Sequence, residues 1–198
     1  MNLAYPTEER TPTTMRTAKT ILSIAFLLPL GLSAQDRFAT RTGHVSFFSA
    51  TPMENVEAHN HKSTSVFDAT SGAIQFAVLM KGFEFEKALM QEHFNENYVE
   101  SNTYPKAEFK GKVIGLPAGA LQKPGSYEVS VEGDLTMHGV TKNMTAKGTL
   151  VVDPTGVLKA SSDFNIRPED FNIKIPGTVR ANIAEEIQVK VRLDYQKM

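Results

Sequence analysis

Tyr127-Glu-Val-Ser-Val-Glu-Gly-Asp-Leu-Thr-Met137 is the stretch that decides the fold. Tyr127, Val129, Val131, Gly133, Leu135 and Met137 fall on one side of an extended chain, and Glu128, Ser130, Glu132, Asp134 and Thr136 fall on the other. That is a strand with one apolar face, which must be covered by something. The same pattern recurs at the C-terminal end, where Ile187, Val189, Val191, Leu193 and Tyr195 alternate with Gln188, Lys190, Arg192 and Asp194.

Working outward, further strands are predicted at 41–49, 56–61, 64–68, 73–81, 106–114, 142–152 and 157–166. Turn residues separate them, including Thr51-Pro52, Thr70-Ser-Gly72, Lys123-Pro-Gly125, Gly139 and Asp153-Pro-Thr-Gly156. One segment breaks the rhythm. From Phe85 to Phe109 the sequence reads Phe-Glu-Lys-Ala-Leu-Met-Gln-Glu-His-Phe-Asn-Glu-Asn-Tyr-Val-Glu-Ser-Asn-Thr-Tyr-Pro-Lys-Ala-Glu-Phe. Leu89, Met90, His93, Phe94, Asn97 and Tyr98 share one helical face, so a short helix is expected over about 86–97, leading into a strand. Many short strands, each with one apolar face, need either a second sheet or closure on themselves, and periodicity does not choose between the two.

The second of these blocks continues as Gly133-Asp-Leu-Thr-Met-His-Gly-Val-Thr-Lys142, and with the 85–109 segment before it the chain resembles the YceI-like family of secreted lipid- and polyisoprenoid-binding proteins. Arg41-Thr-Gly-His-Val-Ser-Phe-Phe-Ser49 stands where that family places its first barrel strand. The resemblance implies an all-β fold, an antiparallel lipocalin-like barrel of about eight strands with the short helix beside it. It also implies a ligand, a long isoprenoid, quinone-like or fatty-acyl chain. In the family's late Arg-x-Asp-Phe-Gly motif this chain has Arg167-Pro-Glu-Asp170-Phe171-Asn172, with one extra residue and Asn in place of Gly. Both residue types tolerate a positive φ, so the turn can survive.

On that reading the cavity candidates are Phe76, Val78, Phe109, Tyr127, Val129, Val131, Leu135, Ile187, Val189 and Val191. Phe83, Phe85, Phe94, Tyr98 and Phe171 are expected near the mouth or under the helix. The same side chains would equally serve a filled core, which leaves a structural or partner-binding β-domain as the alternative. A lipid-acting enzyme is the third reading, though no Gly-x-Ser-x-Gly elbow, phosphate loop, dinucleotide fingerprint or cysteine nucleophile occurs. Holding a polyprenyl tail requires no such chemistry, only apolar area removed from water at about 25 cal/mol per Å².

His59, His61 and Glu57 project from one face of a strand, which gives a metal two imidazoles where three or four ligands are needed, so no metal site and no cofactor is expected. His93 and His138 read as hydrogen-bonded structural groups, His93 beside the Tyr104-Pro105 turn.

Arg16 and Lys19, the apolar run 21–32 and Ser33-Ala34 read as a secretory signal with cleavage near Ala34, and Met15 reads as a better start than Met1. The expected mature domain is then 35–198, periplasmic or secreted, with no transmembrane segment. A formal net charge of −1 over 198 residues argues against nucleic acid as a partner. The absence of cysteine means that packing alone must hold an exported domain together. Oligomeric state, a homodimer included, stays open.

Overall fold

The computed structural model of the protein describes residues 1–2 and 36–198. The expected signal segment and the Met15 start lie outside the described residues.

Among the described residues nine strands run antiparallel: β1 (Arg37–Ala50), β2 (Asn55–Asp68), β3 (Ala73–Leu79), β4 (Glu84–Phe85), β5 (Lys106–Ile114), β6 (Gly125–Met137), β7 (Val140–Val152), β8 (Leu158–Ile166) and β9 (Ile187–Lys197). Eight of them close a barrel in the order β1-β9-β8-β7-β6-β5-β3-β2, with β2 pairing back onto β1; β4 is an extra two-residue strand on β2. Closure removes the exposed edges that an open sheet would leave. It also settles the question that periodicity left open.

The long first hairpin makes closure feasible. β1 and β2 each run 14 residues, and the β1 register slips around Gly43 against β2. The β1–β9 register slips as well, between Ala39 and His44. Such bulges bend a strand and increase its twist. Gly43 is needed there, since a Cβ would lie 2.5 Å from both Leu193 Cδ2 and Ser63 Oγ. The two separate strands expected over 56–61 and 64–68 are thus one continuous strand, because the bulge absorbs the irregular His61-Lys62-Ser63 segment.

Gly111 and Gly133 face each other across β5 and β6, and a Cβ on either would run into the opposing backbone. Close approach of the two backbones explains Gly133 within its strand. At the β6–β7 corner Gly139 has φ +74° and His138 φ +51°.

Where the sequence predicts strand through Lys81, the chain leaves the ladder at Leu79 into a 3-10 turn, Met80–Gly82. Asn60, fully buried, fills the gap. Its Nδ2 donates to the Leu79 carbonyl at 2.8 Å and its Oδ1 accepts from the Lys62 N–H at 2.8 Å. The chain then rejoins β2 as β4, opposite Ala58 and His59.

The helix α1 (Ala88–His93) is one and a half turns long and continues as a π turn, Phe94–Tyr98. No side chain caps it. A helix this short is not stable alone, so packing of Met90, Phe94 and Tyr98 onto the barrel must hold it. Leu89, expected on that apolar face, is instead 61% exposed.

Candidate functional site

The barrel interior is a chamber of about 360 Å³. That lies within the usual range for small-molecule pockets. Inward residues of every barrel strand contribute: Val45 and Phe47 from β1, Phe67 from β2, Phe76 and Val78 from β3, Ala107 and Phe109 from β5, Val129, Val131 and Leu135 from β6, Ala146 and Leu150 from β7, Phe164 from β8, and Ile187, Val189 and Val191 from β9.

At the closed end the Tyr195 hydroxyl hydrogen-bonds Ser65 Oγ at 2.7 Å, and Ser65 Oγ reaches the Gln75 carbonyl at 2.9 Å. Burial, only partly offset by the Ser65 contact, pushes the Tyr195 phenol up to about 12. The phenol therefore stays neutral, which suits an apolar floor.

The opposite end is roofed by two irregular segments. One is the stretch from Met80 through α1 to Val99, from which Met80, Phe83, Phe85, Met90, His93, Phe94, Tyr98 and Val99 line the chamber. The other is the loop after β8, from which Pro168, Ile173, Ile175, Val179, Asn182 and Ile183 do so. Four phenylalanines interlock beneath the helix, with ring centroids 5.1 Å apart for Phe85 and Phe94, 5.3 Å for Phe47 and Phe83, 5.5 Å for Phe47 and Phe94, and 5.6 Å for Phe83 and Phe94. Offset and edge-on pairs at these spacings add to plain area burial. The π turn has a specific effect: it brings Phe94 and Tyr98 onto the same inward side although the helix is ending.

Two polar ties join the roof to the barrel. Between β1 and β2 the turn Thr51–Glu54 is held by Thr51 Oγ1, which accepts from the Met53 and Glu54 N–H groups. This turn carries Glu54, whose carboxylate accepts from Lys87 Nζ at 3.1 Å and from Asn182 Nδ2 at 3.2 Å. These hydrogen bonds, with Lys87 the larger influence, hold the Glu54 carboxyl below its ordinary range. On the β6–β7 corner His138 Nδ1 lies 2.9 Å from the Phe171 carbonyl, and its Nε2 points toward Glu100, 3.9 Å away.

All the sequence candidates line the chamber except two. Tyr127, near the start of β6, stays out of the lining, and its hydroxyl donates to the Lys123 carbonyl at 3.0 Å. Phe171 is buried in the core behind the roof, next to Asn172 at φ +58°, so it braces the loop without facing the chamber. The turn at Asn172 is left-handed, as the Asn-for-Gly exchange allows. Tyr104 packs against His138, with ring centroids 4.5 Å apart, and not against His93, which lines the chamber. Sequence reasoning missed β1, β2, β7 and β8 as lining strands, although the alternation Val45-x-Phe47-x-Ser49 was a usable signal. It also missed Glu54, for which there was none.

On the outer surface His59 and His61 are joined by His44 of β1. The His44 and His61 rings stack at 4.3 Å and 5°, and His44 Nε2 lies 3.2 Å from His59 Nδ1. Partial burial first, then the neighbouring His61, His59 and Arg192, lower the His44 pKa. Among the described residues no set of three or more His, Cys, Asp or Glu side chains is arranged to hold a metal ion.

A closed eight-stranded antiparallel barrel with an apolar chamber under a helical roof defines a lipocalin-like class of binding fold. Within that class the chain belongs to the YceI-like domain family, which it matches over residues 33–195. It is 32% identical over 99 residues to a UPF0312 protein of Pseudomonas putida (strain GB-1), a match covering 48% of each chain. It is 33% identical over 90 residues to a UPF0312 protein of Pseudomonas syringae pv. tomato, covering 42% of each. The match thus spans about half the length of these curated relatives.

In structure it is similar to a polyisoprenoid binding domain from Saccharophagus degradans implicated in plant cell wall breakdown (TM-score 0.72, 14% identity, 83% of this chain and 99% of that one). It is also similar to BcnA of Burkholderia cenocepacia (TM-score 0.64, 20% identity, 78% and 96%) and to the YCEI protein of Campylobacter jejuni (TM-score 0.56, 16% identity, 73% and 87%).

Proposed function

We propose that this chain is an exported binding protein that holds one long apolar molecule, an isoprenoid, quinone-like or fatty-acyl chain, inside the barrel. The observation that carries the reading is the chamber itself, walled by inward aliphatic and aromatic side chains along its whole length from the Tyr195 floor to the Phe47–Phe94 cluster. An alkyl or prenyl chain placed there gains roughly 0.8 kcal/mol per buried CH₂ without any specific contact. The polyisoprenoid-binding description of the Saccharophagus domain supports the same ligand class.

The role is binding, not chemistry. Two of the polar groups at the wall hold the fold: Ser49 Oγ accepts from the Ala184 N–H at 2.9 Å, and the Tyr195 hydroxyl pairs with Ser65 Oγ. Residues 16–34 act as the export signal, and 35–198 form the mature domain.

Native mass spectrometry of the protein purified from its own host tests both parts at once. The expected result is a chain beginning at or within two residues of Gln35, carrying a single extractable lipid. A full-length chain recovered from cytosol would defeat the export reading. A protein that arrives empty and takes up no fluorescent apolar probe would defeat the binding reading.

A further inference from the structure

Among the described residues lining the chamber there is one carboxylate, Glu54, and no lysine or arginine. Its side chain is 24% exposed and sits at the roofed end, where the β1–β2 turn meets Lys87 and Asn182. The headgroup of an amphiphile whose tail fills the barrel would come to rest at this end, since the opposite end is packed by the buried apolar cluster of Phe38, Phe67, Val152, Leu158 and Tyr195. Resting on the reading of the barrel as a lipid chamber, we infer that Glu54 selects the headgroup: the site takes an uncharged, hydrogen-bond-donating head such as a hydroxyl and excludes an anionic one.

An ionised carboxylate only accepts hydrogen bonds, and its two oxygens offer about four lone-pair sites. Lys87 and Asn182 occupy one each, leaving acceptor capacity for a ligand hydroxyl. A carboxylate or phosphate head would instead meet like charge beside an apolar wall, where screening is weaker than in bulk water. Lys87 relieves this only in part: its ammonium bonds one carboxylate oxygen at 3.1 Å, but it is 64% exposed and does not line the chamber, so water screens its charge more than that of Glu54.

The test is competition against a neutral fluorescent alkyl probe by hexadecanol and by hexadecanoate, below micellar concentrations, at about pH 8 and low ionic strength. Wild-type protein is expected to prefer the alcohol by about tenfold or more. The preference should shrink at high salt. In Glu54→Gln and Glu54→Ala the alcohol-to-carboxylate ratio should fall below about threefold, through tighter carboxylate binding.

Equal competition by both amphiphiles in wild type, or a ratio unchanged in both variants, would overturn the inference while leaving the chamber's binding role standing. So would a carboxylate affinity that drops in Lys87→Gln, because Lys87 would then be capturing anions. A probe that binds no form of the protein would instead mean that the binding reading itself has failed.

Discussion

Val129→Phe distinguishes a chamber from a filled core, because the residue lies on the wall where space is already present. Val129 pairs with Gly148 of β7, an inward position with no side chain, and both line the chamber. The change adds about four carbon atoms. In a close-packed interior such overpacking costs typically about 1–3 kcal/mol, and at roughly 2–4 °C per kcal/mol for a domain of this size the melting temperature would fall by roughly 2–12 °C. In a chamber the phenyl ring enters unoccupied volume, so the ligand-free protein should melt within about 2 °C of wild type. The cost appears in binding instead. Displacing about four methylene equivalents of cargo, at roughly 0.8 kcal/mol each, removes about 3 kcal/mol, or more than a hundredfold in Kd. The assay pairs thermal melting of ligand-free protein with saturable uptake of a fluorescent polyprenyl analogue. A melting temperature lowered by more than about 5 °C, with uptake unchanged, would refute the reasoning.

Tyr195 should make the fold alkali-sensitive. Its pKa is raised from about 10 to about 12 by burial, so the neutral form is favoured in the native state. Its contribution is therefore complete below about pH 10 and is lost as pH rises toward 12, by roughly 2–3 kcal/mol. Denaturant melts of wild type and Tyr195→Phe across that window should show the steeper decline in wild type, and equal slopes would count against the buried phenol. Gly139→Ala should destabilise by about 1–3 kcal/mol, since φ is +74° and the added Cβ would lie 2.8 Å from the Tyr104 ring; a change under about 0.5 kcal/mol in urea titration would contradict the geometry. His59→Ala combined with His61→Ala, on the outer wall, should leave lipid uptake unchanged and stability within about 0.5 kcal/mol. Metal analysis should find no stoichiometric transition metal in wild type, and one equivalent that vanishes in the double variant would show a metal site after all.

What the sequence determined by itself was local. A side-chain period of two assigns each strand an inner and an outer face whatever it packs against, so Val129, Leu135, Val189 and Val191 were legible as inward residues before any partner was known. Turn chemistry did the same for Gly139 and Asn172, whose left-handed φ is tied to residue type. What depends on distance through space came from the folded chain alone. Alternation looks the same in a sandwich, a filled barrel and a hollow one, and it was the pairing of β1 with both β9 and β2 that closed the sheet around a chamber. Tyr127 shares the inward face of β6 and pairs with Leu150, which lines the cavity, yet its hydroxyl is held by the Lys123 carbonyl and the ring stays out of the lining. The ladder ends at Leu79, whose carbonyl accepts from the side chain of Asn60, 19 positions away in sequence, a partner that no local pattern announces. Glu54, one acid in a tight turn, carries no periodic signal at all; it reaches the chamber because closure brings that turn against Lys87 and Asn182, residues whose separation in the chain gives no hint that they meet.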